Sequence, residues 1–555
     1  MSIALTGSPQ SALSTPAAKA SSAGQPAAMR DKAANRSRLA LYVLIGSLPF
    51  ADFLQNGLVA FCAAPVMGDI SVGPEEYSLV TTLYAAIAIA VIAHHRWLLE
   101  RVGGRRLGIA CGLFFATGAL VCAGSRDLPM FIAGRALMAL GCASFMTAGR
   151  VLVNRLPPSP LRFTGIRFFA AGLAWGTVVG PLVAACALAL FNWRAGFVAL
   201  VVPASLIALL SALVLDDKRP PPALRSAARP VVALSLGGGG FLVLHSLQRY
   251  GFDGFESPGK VIAGVVAGVL LLMLGVWRLA ATPADGGPGQ GAVIELSALL
   301  QPRYLIGLGI FTAGYILLGG DNLVLPALLL RAFGLPLEIV GRTIGIGALA
   351  SVVTWIVLSR HLPRNQGPLR YYLAGFSALL LCGWQLSHLS ELAEPLAAVL
   401  PSLWLHGAFL ILVLATTAMQ TFQKLPQENR IFSHANQVKN MFAQFGIAAG
   451  FALATFCLQW RASAHYAALG DSLSRSNTAL QSSIDQLSNY FALTHGAATA
   501  HQLAIAQVAH MLAGEATFMA TQDYFSWVTG FAALAVLIVL ALAVVNKLLQ
   551  RAPPV

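Results

Sequence analysis

The stretch Gly172–Ala185, GLAWGTVVGPLVAA, places glycine at 172, 176 and 180 and follows the last with Pro181. In water this is a poor helix, because each interior Gly costs about 1 kcal/mol against Ala and Pro about 3 kcal/mol. The four-residue spacing nevertheless sets all three glycines on one helix face. In lipid such a face is an asset, since small residues let two helix backbones approach closely. Pro181 then removes a backbone hydrogen bond and bends the helix. The stretch reads as a membrane helix with a close-packing face.

The composition agrees. Of 555 residues, 57% are hydrophobic and only 10% charged, whereas a soluble domain carries roughly 25% charged residues. The charges are clustered and leave many apolar runs of about 20 residues, the length that crosses a hydrocarbon core of about 30 Å as a helix. This predicts an all-α polytopic membrane protein. Residues 1–38 differ, being rich in Ala, Ser and Pro without hydrophobic period, and read as a disordered tail. No apolar core precedes a small-residue cleavage site there, so the tail is not a signal peptide. The cysteines (62, 111, 122, 142, 186, 382 and 457) fall in or beside apolar segments. They suggest packing rather than a disulfide framework or a metal site.

About fourteen spans are expected, near 39–65, 78–98, 106–125, 129–150, 163–190, 194–215, 231–250, 260–280, 304–330, 337–360, 369–390, 395–422, 437–460 and 524–548. An even count puts both termini on one side. That side collects Arg30, Arg36, Arg101, Arg105, Arg155, Arg162, Lys218, Arg225, Arg360, Arg364, Lys439 and Lys547, whereas the other holds few, among them Arg126, Arg194 and Arg461. The positive-inside bias makes the termini cytoplasmic and accounts for the +14 net charge without a nucleic-acid partner. One outer segment, 461–523, is long and carries apolar residues at near-helical spacing (Leu469, Leu473, Leu480, Ile484, Leu487). It reads as a helical cap over the outer mouth or a docking surface.

The position of Gly172, Gly176, Gly180 and Pro181 in the fifth span resembles the antiporter motif of the major facilitator superfamily, which ends in Gly-Pro there. Other stretches are similar in order and spacing. RWLLERVGGRRLG (96–108) resembles the superfamily's loop signature, with Glu100, Arg101, Gly103 and Arg105 matching in kind and Arg96 and Gly104 departing. A carboxylate at a helix end facing a basic turn makes a breakable latch. RALMALG (135–141) resembles the fourth-span motif through Arg135 and Gly141. NWRAGF (192–197), KNMFAQFGIAAG (439–450) and AHMLAGEATFMATQDYFSW (509–527) resemble segments of the fourteen-span drug:proton antiporter branch. The resemblance covers the chain after residue 38. It implies two six-helix bundles (39–215 and 304–548), a transmembrane hairpin inserted between them (216–303), and a short tail (549–555). It also implies a midplane substrate site between the bundles. The branch exports hydrophobic, often cationic, compounds against protons from the inner membrane, in some Gram-negative members through a periplasmic adaptor.

Ionisable residues inside spans are functional candidates. Asp52 lies in FADFLQNGLVAFCAAP (50–65), roughly 20 Å from the start of its span, and Arg135 roughly 9 Å below the outer end of the fourth. Their depths nearly coincide, so an ion pair is expected if those spans are neighbours, as the superfamily fold implies. Aligned on Pro65, Asn56 takes the place of the family's first-span acid, and Asp52 lies one turn earlier on the same face. Asp321, beside Asn322 in the ninth span, is the other deep acid, with simple solvation near the outer end as the plain alternative. These three make the proton-coupling set. Phe53, Asn56, Tyr84, Tyr315 and Asn322 are candidates for the substrate cavity. His245 and His406 read as lone packing histidines. The glycine face is expected to meet the tenth or twelfth span.

No G-x-x-x-x-G-K-[ST] loop is present, which argues against ATP as the driver. The expectation is a secondary active exporter of hydrophobic or amphipathic small molecules that uses a proton gradient and no cofactor. Alternatives are a transporter of one metabolite, such as a siderophore, amino acid or fatty acid, and a membrane acyl-transfer enzyme, which would need an acidic partner for a deep histidine.

Overall fold

The computed structural model describes residues 27–551 apart from 223–224, 254–256, 282–292, 362–366, 391–393, 423–424, 426–427 and 473–477. The described residues are helical with short connections. Helices begin where a proline can occupy the first turn without losing a needed hydrogen bond, at Pro74, Pro160, Pro258, Pro302, Pro368 and Pro395. Three starts are capped by side chains: Asp127 accepts from the Met130 amide at 2.8 Å, Ser159 from the Leu161 amide at 3.3 Å and Asn192 from the Arg194 amide at 3.0 Å.

Spans one to six are Ala27–Asp69, Pro74–Ala93, Gly104–Gly124, Leu128–Arg155, Pro160–Leu190 and Trp193–Val214. Seven and eight are Pro230–Asp253 and Pro258–Ala280, and nine to fourteen are Pro302–Ala332, Leu337–His361, Pro368–Ser387, Pro395–Thr421, Asn429–Ser472 and Ala497–Arg551. Thirteen of these are long and apolar enough to cross a membrane. The other, Pro368–Ser387, falls short in hydropathy, since Arg370, Tyr371 and Tyr372 crowd its first turn, yet it is packed between spans twelve and fourteen. Helix one begins at Ala27, inside the stretch read as disordered. The segment 461–523 is no separate loop: span thirteen runs on to Ser472, a helix spans Thr478–His495, and span fourteen already begins at Ala497.

Spans one to six form one bundle and nine to fourteen the other. Inside the first, span one lies along span five, three along four, and three along six; inside the second, nine lies along thirteen and eleven along twelve and fourteen. The bundles meet along two seams, five with ten and two with thirteen. Span seven covers the second seam and touches both two and thirteen, while span eight packs on seven. The outer side of span eight is apolar and exposed (Ile262, Leu270, Met273), a surface that suits lipid and not water. The end of the molecule carrying the arginine-rich connections Arg96–Arg106 and Arg155–Arg167 is called the basic face below.

Candidate functional site

The glycine face of span five meets span one, within its own bundle. A Cβ at Gly176 would stand 2.7 Å from the Phe50 carbonyl and 2.8 Å from the Phe53 Cβ; one at Gly172 would strike the Gly46 carbonyl, and one at Gly180 the Leu54 carbonyl at 3.0 Å. The expected meeting with span ten or twelve is therefore wrong for the glycines. Span ten is met by the opposite side of the helix instead. There Gly341 lies against Ala185 and Pro181, and Gly345 against Leu182. Helical register explains the difference: Leu182 and Ala185 project about 200° and 140° around the axis from Gly180. Close packing of one on five fixes where span one places its polar residues.

Those residues face the interface between bundles. Two small cavities lie there. One of about 70 Å³ is lined by Asn56, Tyr77, Tyr84, Arg135, Asn322 and Gln444 among others. The second, about 60 Å³, is lined by Phe53, Asn56, Pro181, Asn322, Ser351 and His406 among others. Asn56 and Asn322, from spans one and nine, border both. Of the residues expected at a substrate cavity, Phe53, Asn56, Tyr84 and Asn322 line these spaces. Tyr315 does not: it is buried and stacks on Phe311 at 6.2 Å.

Asp52 and Arg135 do not form the expected ion pair. Both are buried, at 4% and 3% exposure, and Gln55 stands between them. Arg135 donates from Nη1 to Gln55 Oε1 at 2.8 Å and lies 4.2 Å over the Tyr84 ring. Gln55 donates from Nε2 to Asn56 Oδ1 at 2.8 Å and to the Tyr84 hydroxyl at 3.0 Å, and Asn56 donates to Asp52 Oδ1 at 3.4 Å. Asp52 also accepts from the Cys142 thiol at 3.4 Å. The carboxylate is thus joined to the guanidinium through two amides. Depth placed the pair correctly, but depth is blind to rotation about the helix axis, which decides which side chain points at which.

Lys439 of span thirteen lies within electrostatic range of Asp52 from the opposite bundle, with its ammonium 5.2 Å over the Phe311 ring. Its sequence signal was masked because basic residues near a span end read as topology markers. Its position eleven residues into Asn429–Ser472 is the clue to burial.

Asp321 is 1% exposed, which removes the solvated alternative. His406 Nε2 lies 2.7 Å from Asp321 Oδ2, and the Tyr524 hydroxyl donates to Oδ1 at 2.9 Å. His406 is therefore not a lone histidine, and the two residues that complete this cluster come from spans twelve and fourteen, far apart in sequence. His245 stacks on Phe241 at 5.3 Å within span seven.

Toward the basic face the bundles are tied together. Gln437 donates to the carbonyls of Ile92 and Ala93, both at 2.9 Å, Asn440 to Thr147 at 2.8 Å, and Asn154 to Asn429 at 2.9 Å. Arg150 of span four reaches across to the rings of Phe422 and Phe432, 5.8 and 5.9 Å away, and also faces Phe169. The loop after span two has a different partner from the basic turn expected. Glu100 pairs with Arg96 at 2.6 Å and accepts from the Ser226 amide and hydroxyl at 2.7 and 2.8 Å. Arg101 lies over Trp97, and Arg105 bonds through its backbone to Asp216. Gly103 holds a left-handed φ of +90°, with Asp217 where a Cβ would sit. So the carboxylate fastens the loop to the strap that leads into span seven. Beside it, burial next to Arg155 pushes the His95 imidazole down to about 4, which keeps it neutral. Among the described residues no cluster of His, Cys, Asp and Glu is arranged to hold a metal.

A family model described as Major Facilitator Superfamily matches residues 45–451. A putative multidrug resistance protein MdtD of Serratia proteamaculans is 22% identical over 73% of this chain and 82% of its own length. An uncharacterized MFS-type transporter, YhcA, of Bacillus subtilis is 21% identical over 93% of this chain and 95% of its own. Among solved structures, an auto-inhibited POT family peptide transporter aligns with a TM-score of 0.55 at 18% identity, covering 93% of this chain and 98% of that one. The human organic anion transporter MFSD10 aligns at 0.50 and 16% identity, covering 78% and 95%. At such identities these structures speak for the fold alone.

Proposed function

The chain belongs to the major facilitator superfamily, and on that premise we propose that it is a secondary active exporter. It moves hydrophobic or amphipathic small molecules by alternating access in exchange for protons, with both termini in the cytoplasm of a cell whose inner membrane it spans. The observation that carries this reading is Asp52: a buried carboxylate, hydrogen-bonded to the cavity-lining Asn56 and facing Lys439 of the opposite bundle. A charge taken out of water is costly unless paired, so protonation of Asp52 changes the attraction between the bundles at the place where substrate would bind. Asp321 is the second proton-coupling candidate, and Arg135 the cation linked to Asp52 through Gln55. Sealing at the basic face by Gln437, Asn440 and Arg150 fits a protein whose cavity is reached from the other side. The resemblance of relatives named for multidrug resistance supports the substrate class.

The structure gives His406 the acidic partner that an acyl-transfer enzyme would need, but no nucleophilic side chain among the described residues is bonded to His406, and we carry the transport reading alone. On the face opposite the basic one, the helical segment Thr478–His495 packs on span fourteen. We assign it to the compartment where exported compound emerges, as a cap or as the seat of a periplasmic adaptor.

The test is uptake into inverted proteoliposomes under an imposed pH gradient, for wild type and Asp52→Asn. Asn keeps the shape and cannot titrate. Uphill transport by wild type and its loss in Asp52→Asn, with downhill exchange retained, is the expected result. Uphill transport by the variant at the wild-type level refutes Asp52 as the coupling site.

A further inference from the structure

We propose that Arg135 binds an anionic group on the transported molecule, so that the substrate class is an amphipathic organic anion of the carboxylate type. This rests on the transport reading above and narrows it.

The argument is one of charge balance. Three cations lie along the interface between the bundles: Arg135, Arg150 and Lys439. Among the described residues no carboxylate oxygen comes within 4.0 Å of any of them, the ion pairs being formed elsewhere. Arg150 is covered by aromatic rings, and Lys439 has the opposite charge of Asp52 within electrostatic range. Asp321 is held by His406 and Tyr524. Arg135 is left with neutral partners only: the Gln55 carbonyl, the Met138 sulfur at 3.7 Å and the face of Tyr84. Its Nε is buried with no hydrogen-bond partner.

A buried charge in this condition is under-satisfied, and the guanidinium fork matches a carboxylate with two parallel hydrogen bonds. Arg135 also lines the 70 Å³ cavity, whose remaining walls include the apolar Val59, Ala63, Ile447 and Phe451 beside the amides of Asn56 and Gln444. A space of this size takes the charged head of a ligand and offers apolar walls to the first atoms of the body behind it. Tyr84 and Gln55 hold the guanidinium in place before the ligand arrives, which lowers the entropy lost on binding.

The experiment uses the purified full chain and three fluorescent probes of one apolar body: dansylated aminoundecanoic acid, its carboxamide, and the matching alkyl ammonium. For wild type, the carboxylate should bind about 10- to 100-fold more tightly than the carboxamide, the range of one charge-assisted hydrogen-bonded contact, and the ammonium should bind most weakly. In Arg135→Gln the carboxylate and carboxamide affinities should converge, and Arg135→Lys should keep part of the preference. Equal or tighter binding of the ammonium by wild type overturns the proposal without any variant, so a misfolded Arg135→Gln does not protect it. A carboxylate preference that survives in Arg135→Gln with wild-type melting overturns it as well. Proton-driven uptake of whichever probe binds most tightly reports on the exporter reading separately: uphill uptake with a flat charge ranking refutes this inference alone, and a steep ranking without uphill uptake refutes the exporter reading alone.

Discussion

Asp52 and Asp321 occupy spans one and nine, the opening helices of the two bundles, and each of these spans has a glycine-lined crossing. Span one approaches span five through Gly172, Gly176 and Gly180, and span nine approaches span thirteen through Gly319, Gly446 and Gly450. The surroundings of the two acids then diverge. Asp321 receives short bonds from an imidazole and a phenol of its own bundle. Asp52 receives long contacts from a thiol and an amide, and a cation within its electrostatic range, Lys439, belongs to the other bundle. A carboxylate satisfied within one rigid body contributes to the stability of that body. A carboxylate whose counter-charge rides on the other body senses how the two bodies are placed. The difference is made by partner chemistry, because both are buried aspartates on the opening helix of a bundle.

This contrast can be broken in several ways. The largest effect is expected for transport in Asp52→Asn, with uphill uptake reduced by at least about 100-fold, the low end of what a positioned proton-transfer group contributes, while the melting temperature stays within a few degrees. Equal loss of uphill uptake in Asp321→Asn would place the two acids in one mechanism and erase the distinction.

For stability the order reverses. Asp321→Leu strands the imidazole of His406 and the hydroxyl of Tyr524 in the interior, and removing one partner of a buried charged cluster costs about 3–5 kcal/mol. Thermal unfolding of the detergent-solubilised protein should show a clear drop, larger than for Asp52→Leu. Similar melting of the two variants would mean that Asp321 is no better anchored than Asp52.

The glycine crossings sharpen the comparison at the level of whole helices. Gly176→Leu overpacks a crossing inside one bundle, at roughly 1–3 kcal/mol, and should lower the melting temperature. Gly341→Leu overpacks the seam between bundles, where an added Cβ alone would stand 2.8 Å from Ala185. It should instead shift the populations of open and closed forms, read as distances between spin labels on the two bundles. A shifted distance distribution in Gly176→Leu and none in Gly341→Leu would contradict this assignment of seams.

The smallest effect is expected from replacing Thr478–His495 by a flexible Gly/Ser linker, which bridges helix ends easily. If that helix caps the cavity mouth, uptake in vesicles should change by a few-fold. If it seats an adaptor, vesicle uptake should persist while whole-cell resistance falls. No change in either measurement removes both roles.

The sequence by itself determined the class of the molecule and much of its plan. Apolar runs of membrane length, punctuated by Pro and by clustered arginines, define helices whatever they pack against, because in lipid each backbone must satisfy its own hydrogen bonds. The Gly172–Gly180 spacing announced a close crossing for the same local reason. A span was read near 369–390, and the helix Pro368–Ser387 lies there although its hydropathy falls short of the others. The near-helical spacing of Leu480, Ile484 and Leu487 gave a helix to the segment that a loop reading would have left open.

Only the tertiary structure decided who meets whom. Span five turned its glycines to span one and its Leu182 face to span ten. Gln55 came between Asp52 and Arg135, and Glu100 chose Arg96 and Ser226 over the basic turn beside it. His406 and Tyr524 converged on Asp321 from 85 and 203 residues away. Each of these depends on the rotation of a helix about its own axis and on its neighbours in the bundle. Hydropathy and depth are properties of one helix in a bilayer and carry neither quantity, so the partners of a buried charge are set by packing between helices.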